Sequence, residues 1–544
     1  MDPVYQEKHR QFVASNNGST IPEIIVAGLS LHLSPLLVGL ISLLPWWSST
    51  LPWRTLELFI ILIPPLLSLT ILAESPEVLN LSLAVASILV LLVIISKKKG
   101  SRDVRRLWDF KLTEDGILCS ILNFRSSMLL VTAICILAVD FPVFPRKFGK
   151  TETYGYGLMD LGVGGFVFAA GLTSSEGRRK ECSLFKTVKS CFPLLILGAF
   201  RLIVLSWTGY HTNITEYGKH WNFFFTLFSV KVLGSLVIPL IPVDPKGVSL
   251  WVSSVVLAVL YEGVLSFGLV DWLVLDGPRE GLLDSNREGI FSVAGFLAIY
   301  LAGVSWARGI IHTPFTFTTL VNVLQDVIVW SILMWFSLLY STTFFLPPSR
   351  RFANYTFFTF VIAYNLSILA GFMVIEAAIL VLGEWRNGSS GESNKKMKKE
   401  RKEKKSRPII PKKEGAETEA SISFPRSLKG LRSPELFQAI SYNSLPYFLL
   451  ANLLTGCVNG LIPTLEVEGC RAVLILLLYL LILSIIFIIL HTRRIKLIVF
   501  YKILLTPFSY QPNGVFQTEI FWSNRIHIVN LVVFILLICY FVLL

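Results

Sequence analysis

The chain has 544 residues, of which 53% are hydrophobic and only 16% are charged. A soluble domain of this length carries a larger charged fraction, and the mean hydropathy of +0.64 also indicates lipid as the solvent. The net charge is +13, but residues 391–413 alone carry eleven Lys or Arg against three Glu. This tract has no aromatic residues and is typical of a solvated loop near anionic lipid, so we expect no nucleic-acid partner.

The apolar stretches predict an all-α fold, a polytopic membrane helical bundle. A helix needs about 20 apolar residues to cross the hydrocarbon. About fourteen stretches qualify. Thirteen of them precede residue 492, and the last is a candidate extra C-terminal helix. The shorter apolar run 267–275 fits a re-entrant or interfacial piece instead. The stretches lie near 23–44, 55–73, 78–96, 126–140, 157–173, 189–208, 221–242, 247–267, 289–310, 323–346, 355–382, 443–462, 471–491 and 527–544.

The basic links fix a predicted orientation. Segments 97–106, 176–180, 391–413 and 493–496 fall on one side by simple alternation, and Lys and Arg collect on the cytosolic side. The N-terminus is then luminal, and two sequons on that side, at Asn17 and Asn213, are predicted glycosylation sites. The seven Cys show no metal-ligand spacing, so no metal site is predicted.

The predicted organisation has five parts. They are a luminal N-terminal segment (1–22), a transmembrane bundle with the active site (23–382), a basic cytosolic loop (383–440), two C-terminal helices (443–491) and a C-terminal extension (492–544).

The segment 138–165 carries the strongest candidate for chemistry. Arg125 marks the cytosolic start of its helix and Asp140 follows fifteen residues later, about 22 Å along a span of roughly 30 Å. We therefore expect a buried carboxylate, for which function is the default hypothesis. Pro142 then ends the helix, and Lys150 follows in the non-helical link. A carboxylate facing a lysine suits acyl transfer as base and oxyanion partner; the alternative is a structural ion pair.

Further polar residues gather at the same predicted side. Segments 211–224, 284–290 and 349–354 each fit a helix cap or interfacial anchor singly, but together they predict a hydrophilic site where helix ends converge. Asn452 and Asn459 share a helix face, with interhelical hydrogen bonding as the simpler role. The predicted substrate-binding residues are Arg146, Lys147, Asp160, Arg201, Glu216, His220, Asn222, Asn286, Arg287, Arg350, Asn354 and Asn452.

Five ordered stretches resemble one family. They are ILAVDFPVFPRKFGKTETYGYGLMDLGVG, TEYGKHWNFFFTL, SNREGIFS, SRRFANYTF and YFLLANLLTGCVN, and the opening FVASNNGSTIPEI agrees. The sequence is similar to the GPI-anchored wall transfer protein family, the inositol acyltransferases of GPI-anchor biosynthesis. The likeness runs from about residue 7 to about 495, and the continuation to 544 departs from the family pattern.

The resemblance implies an endoplasmic-reticulum enzyme that transfers a fatty acyl group, typically palmitoyl from acyl-CoA, to the inositol 2-hydroxyl of glucosaminyl-phosphatidylinositol. It implies acyl-CoA as co-substrate and no tightly bound cofactor. The family's aspartate and lysine fall on Asp140 and Lys150, as general base and electrostatic partner. Arg146 and Arg201 are candidates for the CoA phosphates, and Glu216, His220, Asn286 and Arg287 for the acceptor headgroup.

Two other functions fit the same sequence. A lipid transporter or flippase would use the buried polar residues to line a path, and a non-catalytic scaffold of the GPI pathway would not depend on Asp140. The sequence has no Walker A motif and no HExxH, so ATP-driven transport and zinc proteolysis are not expected.

Overall fold

A computed structural model describes most of the apolar part of the chain. The described residues are 5, 7, 8, 11, 12, 16–44, 50–96, 111–113, 119–179, 183–208, 214–242, 244, 246–275, 279–310, 315–386 and 433–497. The predicted basic loop at 391–413 and the candidate span at 527–544 lie outside them.

The structure is a bundle of α-helices, as predicted. In chain order the helices are α1 (Ile21–Ser42), α2 (Leu51–Ser68), α3 (Pro76–Ser96), α4 (Cys119–Ala138), α5 (Leu158–Leu172), α6 (Leu184–Thr208), α7 (Ile214–Tyr217), α8 (Phe223–Val237), α9 (Val248–Val264), α10 (Val270–Val274), α11 (Gly281–Ser285), α12 (Arg287–Ile310), α13 (Phe317–Phe344), α14 (Tyr355–Arg386), α15 (Glu435–Tyr442), α16 (Ser444–Leu461) and α17 (Gly469–Thr492). Two short strands, β1 (Lys111–Thr113) and β2 (Phe315–Thr316), pair antiparallel.

Eleven of the helices in the described part of the chain are long and apolar enough to cross a membrane. Together with the shorter α5 and with α6, they account for each of the thirteen stretches predicted before residue 492. The polytopic all-α fold is therefore confirmed. Phe267 and Gly268 have non-helical backbone angles, with φ +104° at Gly268, so a kink separates α9 from the short α10. The assignment of 267–275 as a re-entrant or interfacial piece stays a prediction.

Local sequence explains where key helices begin. At α1, Thr20 and Glu23 form a capping box, in which the Glu23 carboxylate accepts from the Thr20 backbone N–H at 2.8 Å. At α8, the Asn222 side chain accepts from the backbone N–H groups of Phe224 and Phe225. Both caps satisfy N–H groups that no helical carbonyl can reach.

The centre of the bundle is α12, which packs against α5, α8, α9 and α14. Among the apolar helices of the described ranges, α12 is also the most buried: 78% of the residues in its apolar stretch lie inside the bundle. Its approach to α5 depends on two glycines: a Cβ on Gly303 would lie 2.3 Å from the Phe168 carbonyl oxygen, and one on Gly171 would lie 2.3 Å from that of Tyr300. Small residues of this kind let helix backbones approach closely in lipid.

Successive long helices run through the bundle in opposite directions, so each connection between them lies at one of two ends of the bundle. We call the end with residues 16–20, 139–157, 214–222, 279–286, 345–354 and 462–468 the site end, because most of the predicted site residues lie there. The opposite end, which carries 173–179 and 493–496, is the basic end. The described basic links thus share one end, as predicted; the assignment of that end to the cytosol stays a prediction.

The α5–α12 contact gives the first prediction. Gly303→Ala should reduce the free energy of unfolding by at least about 2 kcal/mol, because the new methyl group meets backbone that cannot rotate away. Thermal unfolding of the purified protein measures this. Gly263→Ala is the matched control, since no atom lies within 4 Å of a Cβ there; equal stability of the two variants would contradict the prediction.

Candidate active site

Asp140 lies just beyond the end of α4 and is only 9% exposed. The turn that contains it runs through Pro142 and Pro145 to a short 3₁₀ turn at Arg146–Phe148. Its Oδ2 accepts a hydrogen bond of 2.7 Å from Nδ2 of Asn459, near the far end of α16. Arg146 is within electrostatic reach of this carboxylate, and its Nη1 donates to the Val139 carbonyl at 2.9 Å. Asp140 is thus a buried carboxylate with one oxygen held in place.

Lys150 belongs to a chain of alternating charges. Its ammonium donates to Oε1 of Glu216 at 2.8 Å, and Arg350 Nη1 lies 3.2 Å from the same oxygen. Arg350 Nε in turn donates to Oδ1 of Asp160 at 2.7 Å. The other carboxylate oxygen of Asp160 accepts from the backbone N–H and the hydroxyl of Thr151. The network closes on itself because Thr151 directly follows Lys150.

This arrangement corrects the predicted partner of Lys150. The sequence suggested that its ammonium faces Asp140, but the structure pairs it with Glu216 on α7. The two residues do lie on one connection between α4 and α5, so both are at the site end. Their assignment to the chemistry stays a prediction.

The electrostatics of the network keep Glu216 ionised. Burial raises the pKa of this carboxyl, but Lys150 and Arg350 outweigh burial and hold it at about 2. Arg201, on α6, lowers it further. Burial raises the pKa of neighbouring Tyr217 to about 12, so its hydroxyl keeps its proton. Lys150 therefore faces a permanently charged carboxylate across the physiological pH range.

The N-terminal segment holds the link between α4 and α5. Nδ2 of Asn16 donates to the Lys150 carbonyl at 3.0 Å, and the Ser19 N–H donates to the Tyr156 carbonyl at 2.7 Å. Lys147, predicted to bind substrate, instead forms salt bridges with Glu23 at 3.1 Å and Glu74 at 3.3 Å. The Lys150 backbone is thus anchored from the chain's own N-terminus.

Three of the predicted asparagines have structural partners. Asn222 caps α8 and also donates to the Gly198 carbonyl at 3.0 Å. Asn286 accepts from the backbone N–H of His220 at 2.7 Å, which fixes the loop before α8. Asn354 is fully buried, where it accepts from the Ser349 N–H and donates to carbonyls of the preceding turn. The simpler capping role describes the contacts of all three.

A second ion cluster surrounds Glu288 at the start of α12. Its carboxylate accepts from both terminal nitrogens of Arg279, at 2.8 and 2.7 Å, and from Arg351 at 2.7 Å. Arg287, predicted to bind the acceptor headgroup, is paired with Asp284 at 3.0 Å and lies over the ring of Trp272. This cluster joins α10, α11, α12 and the turn before α14.

The remaining predicted residues are exposed or undescribed. His220 and Arg201 are exposed at the site end, and Asn17 is exposed as a glycosylation site requires. Asn452 is exposed and donates to its own helix at the Phe448 carbonyl, so it does not reach the site. Asn213 lies outside the described residues.

The sequence singled out Asn459 only as a helix-packing residue. Its bond to Asp140 could not be found from the sequence, because nothing local indicates which of the two α16 asparagines faces α4. Thr151, which holds Asp160, was also missed; its adjacency to Lys150 was the available signal. Across the described ranges no three His, Cys, Asp or Glu are grouped to hold a metal ion.

Comparison with known proteins decides the family. The GWT1 family model matches residues 5–490. The chain belongs to the GWT1 family. It is 35% identical to the bovine glucosaminyl-phosphatidylinositol-acyltransferase PIGW over 387 residues, 68% of this chain and 73% of that protein. It is 30% identical to GPI-anchored wall transfer protein 1 of Aspergillus fumigatus over 540 residues, 92% of this chain and 100% of that protein.

The GWT1 match includes both parts of the site, Asp140 with Asn459 and the Lys150 network. Human PIGW is a further relative, 32% identical over 378 residues, 65% of this chain and 70% of that protein. The matched region ends at residue 490, so the extension predicted at 492–544 lies beyond it.

The Glu216 pKa gives a pH prediction. A folded pKa of about 2 against an ordinary 4.5 adds stability on the order of 3 kcal/mol. Because the pKa is lowered, this stability is complete above pH 4.5 and is lost as the pH falls from 4.5 towards 2. In thermal unfolding, the Tm of wild type should exceed that of Glu216→Gln by a constant difference from pH 8 to pH 5. Below pH 4.5 the Tm values of the two proteins should converge. A difference that is unchanged at pH 3 would contradict the assignment.

Proposed function

We propose that this chain transfers a fatty acyl group, palmitoyl, from acyl-CoA to the inositol 2-hydroxyl of glucosaminyl-phosphatidylinositol in GPI-anchor biosynthesis. The site end faces the lumen of the endoplasmic reticulum in this proposal. Membership of the GWT1 family and the names of the relatives support the acyl transfer and the glucosaminyl-phosphatidylinositol acceptor. The observation that carries the site is the buried Asp140 carboxylate, fixed by Asn459, on the same link as Lys150.

The proposed chemistry divides between the two residues. The Asp140 carboxylate takes the proton of the inositol hydroxyl as the hydroxyl oxygen attacks the thioester carbonyl carbon. Negative charge develops on the carbonyl oxygen, where the Lys150 ammonium stabilises it. The C–S bond then breaks, and Asp140 returns the proton to the CoA thiolate. The ester and free CoA are the products, and Asp140 is again a carboxylate.

Glu216 is a positioning residue in this scheme. It occupies one of the three N–H donors of the Lys150 ammonium, so two donors remain for the developing oxyanion. Arg350 holds Glu216 from the other side at 3.2 Å. A free lysine side chain has about 2 kcal/mol of rotamer entropy to lose, and the salt bridge restricts that freedom before substrate arrives.

Acylation of a glucosaminyl-phosphatidylinositol analogue by the purified full-length protein tests the proposal. Asp140→Asn keeps the shape and its bond partner but removes the base, so we expect kcat to fall by at least about 10²-fold with the folded protein intact. For Lys150→Ala we expect a comparable fall in kcat. Transfer that persists in both folded variants would place the chemistry elsewhere, and no transfer by folded wild type would favour a lipid transporter or a scaffold.

The two α16 asparagines provide a matched pair. Asn459→Leu should lower kcat by about tenfold or more, because Asp140 loses the bond that fixes its carboxylate. Asn452→Leu should leave kcat unchanged, since among the described residues that side chain bonds to Phe448 of its own helix. Steady-state rates with both variants measure the difference. Equal rates for the two variants would show that the Asn459 bond has no part in the reaction.

A further inference from the structure

The link between α4 and α5 carries one carboxylate besides Asp140, that of Glu152. Burial alternates around it: Lys150 is exposed, Thr151 is buried and Glu152 is exposed. Thr151 points inwards because its N–H and hydroxyl both donate to Asp160. In an extended segment side chains alternate in this way, and residues two apart share a face. The Lys150 ammonium and the Glu152 carboxylate therefore leave the link on the same, exposed side.

The backbone around Glu152 is held from two sides. On one side, the backbone carbonyl of Asn16 accepts from the Glu152 N–H at 3.1 Å, while Nδ2 of Asn16 donates to the Lys150 carbonyl at 3.0 Å. On the other side, the Gly155 N–H donates to the Pro348 carbonyl at 2.9 Å, in the turn before α14. The N-terminal segment and the α13–α14 connection thus fix the place from which the carboxylate projects.

The Glu152 carboxylate itself forms no ion pair or hydrogen bond with any residue that the structure describes. The three other acids of the candidate site are each bonded to a side chain: Asp140 to Asn459, Asp160 to Arg350 and Glu216 to Lys150. An acid whose backbone is fixed while its charge has no partner is preorganised for a cation from outside, because little ordering is left to be done on binding.

The acceptor of the proposed reaction carries such a cation. A glucosaminyl group has a primary amine, which is an ammonium when protonated, and its ring is attached directly to the inositol. The ammonium and the accepting hydroxyl are therefore on adjacent rings. Lys150 and Glu152 are two residues apart, with at most about 7 Å between their Cα atoms. A headgroup whose inositol lies at Lys150 thus has its amino sugar within reach of Glu152.

We propose that Glu152 binds the ammonium of the acceptor's amino sugar, and so selects an acceptor with a free amine over one in which the amine is absent. The inference rests on the proposed function and adds a specificity-determining residue to it. The Glu152 carboxylate accepts N–H bonds from the sugar ammonium, while Lys150 keeps its bond to Glu216. Glu152 takes no part in the proton transfer, so its contribution is to acceptor binding alone.

Steady-state kinetics of full-length Glu152→Gln with two acceptors test the proposal. One acceptor is a glucosaminyl-phosphatidylinositol analogue, and the other is its glucosyl counterpart, in which a hydroxyl group replaces the amine. Loss of the charge should raise KM for the amine acceptor about fivefold, the upper end for an exposed ion pair. KM for the hydroxyl acceptor, KM for the acyl donor and kcat should stay unchanged, because only binding of the ammonium is lost.

Two further variants serve as controls. Glu152→Asp keeps the charge and should keep the preference for the amine acceptor. Glu77→Gln is the matched control, because Glu77 is an exposed acid at the same end, in the first turn of α3, and both KM values should stay at wild type. An equal rise of both KM values in Glu152→Gln would indicate a structural role, and a fall in kcat alone would indicate a role in the chemistry. Either result would overturn the proposal.

A binding measurement separates this inference from the reaction itself. The probe is a glucosaminyl-phosphatidylinositol analogue without the inositol 2-hydroxyl, which cannot accept an acyl group. Wild type should bind it about fivefold more tightly than Glu152→Gln does, and the two proteins should bind the glucosyl counterpart equally. Such selective binding by a wild type that transfers no acyl group would refute the proposed function and leave the role of Glu152 standing. Acyl transfer by both proteins with the same preference for the amine would do the reverse.

Discussion

Charge pairing in lipid is the constraint on which the site end depends. A buried ion is tolerated only when partners replace its water, and Arg350, only 4% exposed, meets this condition with Asp160 and Glu216 at once. Its pKa is raised, because those two carboxylates outweigh the effect of burial. Through them one guanidinium ties the turn before α14 to the start of α5, to α7 and to the link that carries Lys150. Removal of one partner would leave an uncompensated charge at the centre of four chain segments.

This constraint explains why the site has two parts. Lys150 is oriented by Glu216 rather than by Asp140, so the two residues of this link have separate partners. Asp140 is oriented by the side-chain amide of Asn459 and lies within electrostatic reach of Arg146.

Charge is distributed unevenly along the bundle. Cations at the site end are paired with carboxylates, as with Lys147, Arg287 and Arg351. At the basic end, a cavity of about 940 Å³ is lined by four cationic side chains and one carboxylate. The paired cations hold neighbouring chain segments together at the site end. The two regions share α4 and α16, so one pair of helices runs from the cavity to Asp140.

The sequence by itself determined the class of fold, the thirteen helices before residue 492 and the burial of Asp140, since hydropathy, helix rise and proline breaks are local properties. Which polar groups meet was decided by tertiary structure alone. Lys150 and Glu216 are 66 residues apart, Asp160 and Arg350 are 190 apart, and Asp140 and Asn459 are 319 apart. Asn452 and Asn459 share one face of α16, yet of the two only Asn459 reaches Asp140. The reason is that helix rotation and height are fixed by packing against neighbours, which no local pattern encodes.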